Sequence, residues 1–427
     1  MIVRCRAHRV LALFLLFPLA GCSDRFLAGP LQYVESPTLT QDIKGKPNLA
    51  DRPRLQDKVR KSLVRLYGES PQRIRVPEGL GELMAGGLRL ANYRQSGEGP
   101  GARISRNIVL NPKTQEKTWI AGGYGLYRRH CLHCHGVSGA GDGPTAAFLY
   151  PLPRDYRMGL FKFTSTPSGA RPHRDDLRRT IKYGLHGTSM PAFEALMSDD
   201  EIEQVVDYVI FLSVRGETEL ALIEEGTVAD DNDPNSLSED VALETAQMIF
   251  NKWKTAQRSV VNPPIPRVAS TRESILRGRD LFLGRTKEKL ECAGCHGSLG
   301  RGDGPSFVSQ DVFNFVVFGG NPSERDLRVS QLDEKTRELW QQKLDEWGNP
   351  LRPANLNRGV YKGGRRPLDL YWRIAKGITG AQMPAHYPTI DHPQIWDLVN
   401  FVLALPYEPE LLTAAGPAPT PPAMAQR

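Results

Sequence analysis

The 427-residue sequence predicts a mainly α-helical chain with two related modules in tandem, on three observations. The first is a long internal repeat. Cys131, Cys134, His135 and the turn Gly141-Asp142-Gly143-Pro144 recur 161 positions later as Cys292, Cys295, His296 and Gly302-Asp303-Gly304-Pro305. At an offset of 193, Leu177, Ile181, Gly184, Gly187, Met190 and Pro191 match Leu370, Ile374, Gly377, Gly380, Met383 and Pro384. The second is one apolar stripe at helical spacing, used twice: Ile202, Val205, Val206, Val209 and Ile210, then Ile395, Leu398, Val399, Val402 and Leu403. The third is a helix-start signature ahead of each stripe, Ser198-x-x-Glu201 and Asp391-x-x-Gln394.

Taken from the start of the chain, Arg4, Arg6 and Arg9 precede the apolar run VLALFLLFPLAG. A charged region followed by a short apolar core is an export signal, and the run is too short to span a bilayer as a helix. It ends in Leu19-Ala20-Gly21-Cys22, which resembles the lipobox of bacterial lipoproteins. That resemblance implies removal of residues 1–21 and acylation of Cys22; the alternative is an ordinary signal peptide with a chance cysteine. Acyl chains on Cys22 would tether a soluble body to a membrane face, in the periplasm or at the cell exterior. Loss of the three arginines takes the formal charge from +7 to +4. A nucleic-acid partner is therefore excluded.

Residues 22–118 form an N-terminal region without a metal-ligand cluster. Leu55, Val59, Leu63 and Leu66 predict one amphipathic helix with basic residues on its other faces. Pro71, Pro77 and several glycines follow, so the rest is expected to be irregular chain lying on the modules, or a partner-docking arm.

The stretch HCLHCHG at residues 130–136 offers ligands for zinc or for haem. Its second copy, CAGCHG at residues 292–297, lacks the extra histidines, so the shared core is C-x-x-C-H. That core is the haem-attachment motif: two thiols form thioethers to one porphyrin, and His135 or His296 lies under the iron. A zinc site would need another ligand pair at suitable spacing. The six cysteines are Cys5, Cys22 and these four, which leaves no such pair and no disulfide framework.

Both modules resemble class I cytochrome c domains, over residues 119–216 and 273–408. The resemblance implies two covalently bound haem c groups, attached at Cys131 and Cys134 and at Cys292 and Cys295. It implies His135 and His296 as one axial ligand each, and Met190 and Met383 as the other. A thioether is a soft neutral donor that favours ferrous iron. The proline after each methionine keeps its loop extended. Core packing is the bland alternative for both methionines. His386 competes with Met383, and Met197 and His186 compete less well with Met190; His173 and His392 read as surface residues. The family also implies a backbone carbonyl that orients each histidine, for which Pro153 and Pro353 stand at matching places. Asp142 and Asp303 read as turn residues.

Between the modules, residues 217–272 read as an acidic linker that ends in a helix, with ten acids and neither Lys nor Arg from 216 to 251. Module two carries an insertion at about 306–352, long enough to cover the haem edge, the other module or a partner. Residues 409–427 read as a disordered Pro/Ala-rich tail. The whole predicts an anchored dihaem carrier that passes single electrons between redox proteins such as a cytochrome, an oxidase or a dehydrogenase complex. FKFTSTPSGARP and GLHGTSMPAF in module one also look loosely like cytochrome c subunits of alternative complex III. A dihaem peroxidase and a structural haem subunit of a respiratory complex remain as alternatives.

Overall fold

A computed structural model describes residues 31–413, apart from positions 72, 78, 80, 88–89, 91–92, 97–102, 107, 111–116, 120–121 and 319–321. Each module is framed by two crossing helices. In module one these are α2 (Gly122–His130) and α5 (Asp199–Val228), with α3 (Leu132–His135) and α4 (Arg174–Tyr183) between them in sequence. In module two α7 (Arg272–Phe282) crosses α13 (His392–Ala404), with α8 (Cys292–His296) and α12 (Pro367–Lys376) in the equivalent places.

The crossing works because each first helix presents a glycine. A Cβ on Gly123 would strike the carbonyl of Gln204 and lie 2.8 Å from Tyr208 Cβ. One on Gly278 would meet the carbonyl of Asp397 and Phe401 Cβ in the same way. Tyr127 packs on Tyr208 at 5.1 Å and Phe282 on Phe401 at 5.4 Å between ring centroids, so aromatic pairs fill both crossings. Both anticipated capping boxes form, at Ser198 with Glu201 and at Asp391 with Gln394.

The segment before module one contains the expected amphipathic helix, α1 (Pro53–Tyr67), with Leu55, Val59, Leu63 and Leu66 all buried. Two short antiparallel hairpins follow, β1 (Tyr93–Ser96) with β2 (Arg103–Arg106) and β3 (Ile108–Leu110) with β4 (Lys117–Trp119). They stand in a region that sequence reads as irregular.

The acidic stretch after residue 216 is not a solvated tether. Helix α5 runs straight through Gly216 to Val228 and buries Glu217, Thr218, Glu219, Leu222 and Ile223. Gly216 serves packing, since a Cβ there would lie 2.6 Å from the Cα of Arg157. The basic faces of α1 meet the end of α5 and the acids beyond it. Arg52 reaches the carbonyls of Gly226, Thr227 and Ala229, Lys58 takes those of Pro234 and Ser236, and Arg65 pairs with Glu239. Cations at a helix C-terminus satisfy its orphan carbonyls and its dipole. Helix α6 (Glu239–Ala256) then packs Ile249, Phe250 and Trp253 into the core of module one. The domain edge that composition suggests at 216 therefore falls inside one continuous core.

The insertion folds into α9 (Gln310–Val317), α10 (Pro322–Ser330) and α11 (Glu334–Gln342) around its own small core of Phe313, Val316, Val317 and Trp340. Tyr150 of module one packs on that core, 5.4 Å from Phe313 and 5.7 Å from Phe318. The insertion thus covers the other module, one of the three roles its length allowed. Among the described residues, no helix is long and apolar enough to cross a membrane.

Candidate functional site

The two C-x-x-C-H segments form equivalent short helical turns, Leu132–His135 after Cys131 in module one and Cys292–His296 after Glu291 in module two. In module one the amides of Cys134 (3.1 Å) and His135 (2.9 Å) both donate to the carbonyl of Cys131. Gly136 and Gly297 end the turns with φ of +75° and +80°. The Asp142 and Asp303 carboxylates occupy the places where their Cβ atoms would sit, so only glycine fits.

The Gly-Asp-Gly-Pro turns then fold back over the motif. The amide of Gly141 donates to the carbonyl of His135 at 3.0 Å and that of Gly143 to Cys134 at 3.1 Å; Gly302 to His296 and Gly304 to Cys295 repeat this at 2.8 and 3.1 Å. These turns hold the attachment motif from behind.

Each histidine ring is aimed by its other nitrogen. His135 Nδ1 lies 3.2 Å from the carbonyl oxygen of Arg154, and His296 Nδ1 lies 3.1 Å from that of Ala354. A carbonyl only accepts, so Nδ1 carries the proton and Nε2 keeps its lone pair for a metal. The acceptors sit one residue beyond the prolines that sequence singles out. The carbonyls of Pro153 and Pro353 instead close on Gly141 and Gly302, 2.5 Å from where a Cβ would be. Burial pushes His135 down to about 4 and lowers His296 as well, so both rings are neutral and able to ligate at neutral pH.

The Met-Pro loops are likewise duplicated. The amide of Leu185 donates to the carbonyl of Met190, and that of Ile378 to Met383, both at 3.1 Å. Gly184 and Gly377, with φ of +67° and +73°, turn the chain out of α4 and α12 directly against those carbonyls. Met190 and Met383 are half-buried, each packed against the core of its own module. Three residues on, the amide of Phe193 donates to Ile181 and that of His386 to Ile374. His386 therefore stands where module one has a core phenylalanine. Met197 is in the core and His186 is exposed. His173 caps α4, accepting from the amide of Asp175 at 3.2 Å, and His392 stacks on Tyr371 and Tyr387. Both have structural work that a surface reading missed.

A ring stack behind His135 also escapes sequence reasoning. His135 stacks on Tyr156 at 4.7 Å, Tyr156 on Phe161 at 5.8 Å, and Phe161 meets Trp253 edge-on at 6.2 Å. Trp253 Nε1 donates to Glu217 Oε1 at 2.7 Å, and Arg171 Nε donates to the other carboxylate oxygen at 2.9 Å. The one available signal was the apolar stripe of α6, which marks Trp253 as buried but not against what.

The four thiols at 131, 134, 292 and 295 form no disulfide. Among the described residues no three His, Cys, Asp or Glu side chains converge as a metal cage. The thiol pairs and the unprotonated Nε2 atoms suit a planar group held at its edge by two thiols and by one ring nitrogen. Cys22 and residues 1–21 lie outside the described residues.

Two family models match the chain. Residues 120–209 match cytochrome C oxidase, cbb3-type, subunit III, and residues 275–406 match cytochrome c. Each span contains one C-x-x-C-H motif and one Met-Pro loop. A chain of the reducing HAO-like protein complex of Kuenenia stuttgartiensis is similar at 26% identity, over 66% of this chain and 94% of its own, with a TM-score of 0.45. No curated protein matches the sequence.

Proposed function

We propose, from the premise that this chain carries two class I cytochrome c domains in tandem with two covalently bound haem c groups, that it relays single electrons between redox proteins outside the cytoplasm. One observation carries the relay reading: both modules hold their histidine and their methionine loop by the same hydrogen bonds. Each module thus brings its own pair of candidate axial ligands, His135 with Met190 and His296 with Met383, and needs none from outside.

A haem c bound there supplies a one-electron iron couple, which thioether ligation biases toward the ferrous state. The chain's own residues do the rest. Cys131 and Cys134, like Cys292 and Cys295, fix the porphyrin. The carbonyls of Arg154 and Ala354 keep the histidine rings from rotating, and the glycine-closed loops restrain the methionines. Rigid ligands keep reorganisation small, which suits electron transfer with no bond made or broken on a substrate.

The partners are redox proteins, a small cytochrome, an oxidase or a dehydrogenase complex, and Cys22 anchors the chain at a membrane through acyl chains. The lipobox-like leader supports the anchor. Stopped-flow mixing of the half-reduced protein tests the relay: rapid exchange with a small c-type cytochrome and negligible peroxide turnover are expected. Fast reoxidation by peroxide through a high-spin haem would overturn it. For the anchor, labelled fatty acid should enter the wild type and not Cys22→Ala.

A further inference from the structure

The turn at residues 345–349 presents a single ring to the space between the modules. Asp345 Oδ1 accepts from the amides of Trp347 at 3.0 Å and Asn349 at 2.8 Å, and Gly348 closes the turn onto the carbonyl of Asp345 at 2.8 Å. The other carboxylate oxygen takes Lys162 of module one at 2.8 Å, with the Asp345 side chain 3% exposed. A buried ion pair therefore fastens a turn of module two's insertion to module one.

The ring it presents touches both sites. The Arg154 guanidinium lies 3.6 Å from the centroid of the Trp347 ring, and the carbonyl of Arg154 is the one that receives His135 Nδ1. At its rim the ring abuts Gly380, where a Cβ would lie 2.6 Å from Cη2 and closer still to Cζ3. Gly380 belongs to the loop that the Ile378 amide closes onto the Met383 carbonyl. Its counterpart in module one, Gly187, meets only Val360 Cγ1, at 3.3 Å.

We infer that Trp347 is a positioning residue that couples the two haem sites, by holding the segment behind His135 and the loop bearing Met383 as one body. The inference rests on the dihaem reading. Stacking of a guanidinium on an aromatic face is strongest when both are shielded from water, and a ring against a glycine backbone leaves the loop no room to shift. A change in the ligand geometry of one site is thereby felt in the other, the discrete packed connection that coupling between sites requires.

Hydrogen exchange on the holoprotein tests this. In Trp347→Ala, amides in residues 150–158 and in residues 377–386 should both exchange about tenfold faster, with a shifted potential and a weakened near-infrared methionine–iron band at the second site. Trp347→Phe keeps a ring between Arg154 and Gly380 and should restore all three. Lys162→Gln, which removes both the ion pair to Asp345 and the ammonium 5.8 Å from the centroid of the Trp347 ring but keeps the ring itself, should give the same pattern more weakly. Trp340→Leu, in the insertion's own core, should loosen only α9, α10 and α11. Faster exchange confined to residues 343–350, or an unmoved potential in Trp347→Ala, would overturn the coupling. A haem count below two per wild-type chain would instead sink the dihaem reading, and it is measured separately.

Discussion

Module one and module two share a motif and a helical frame but not a setting. The core of module one continues without a break into α1 through Val59, Leu63 and Tyr67, and into α6 through Phe250 and Trp253. The core of module two closes on itself, built from α7, α12 and α13 with Leu290, Leu356 and Tyr361 from the segments between them, and with Leu411 and Leu412 from the start of the stretch that sequence reads as disordered tail, while the insertion keeps its own core apart. His135 is 8% exposed, whereas His296 is half-buried. One local sequence pattern thus lies in two different settings, and the packing around a haem is one lever on its potential. Ferric iron carries the extra charge, so burial disfavours it and favours reduction.

The largest effect should come from the attachment cysteines. Cys131→Ser with Cys134→Ser, or Cys292→Ser with Cys295→Ser, should each lower covalent haem from two to one per chain, read by haem absorbance per protein. The first pair should also lower the melting temperature of the segment that includes α1 and α6. The second should leave that transition in place. Equal losses would dissolve the contrast between a shared and a self-contained core.

Next comes Trp253→Ala, which empties the end of the ring stack and leaves Glu217 short of one donor. Such a truncation costs roughly 3–5 kcal/mol. Denaturation followed separately at each haem should show the loss in module one only. A cost shared by both modules would mean that they unfold as one unit.

A smaller effect concerns potentials. In a spectroelectrochemical titration, module one should hold the higher value. Met190→Ala and Met383→Ala should each lower the potential of their own site and open it to added imidazole. His386→Phe, which installs the residue of module one at that place, should leave the second site low-spin. A high-spin signal in that variant would make His386 the ligand.

The smallest effect tests the seam between modules. Lys376 of module two donates to Thr164 Oγ1 of module one at 3.1 Å, and burial pushes it down from 10.5 to about 8. Its folded value lies below its unfolded one, so the unfolded chain holds the extra proton between those limits. Stability therefore rises as pH climbs from about 8 to about 10.5. Lys376→Met should stabilise the protein by about 2 kcal/mol at pH 7, after allowing for the lost hydrogen bond. That advantage should fade across the same window in pH-dependent melts. A gain constant with pH would assign it to packing alone.

What sequence alone determines here is whatever is written in short spacing. C-x-x-C-H places two thiols and a ring on one helical turn, the paired glycines demand positive φ, the capping boxes start helices, and apolar stripes mark buried faces. These depend on backbone geometry within a few residues. What only the tertiary structure decided are contacts between distant segments: the Arg154 and Ala354 carbonyls one step beyond the prolines, and the stack from His135 to Trp253. So too the pairing of the basic faces of α1 with the acids after 216, and Trp347 held through a pair 183 positions apart in sequence. Composition reads the acids as solvated because it counts charges without their partners. Helix α5 buries some of them, because Arg171, Trp253 and the amide of Ser36 arrive from elsewhere to satisfy Glu217 and Glu219, and a buried charge is stable only where such partners converge.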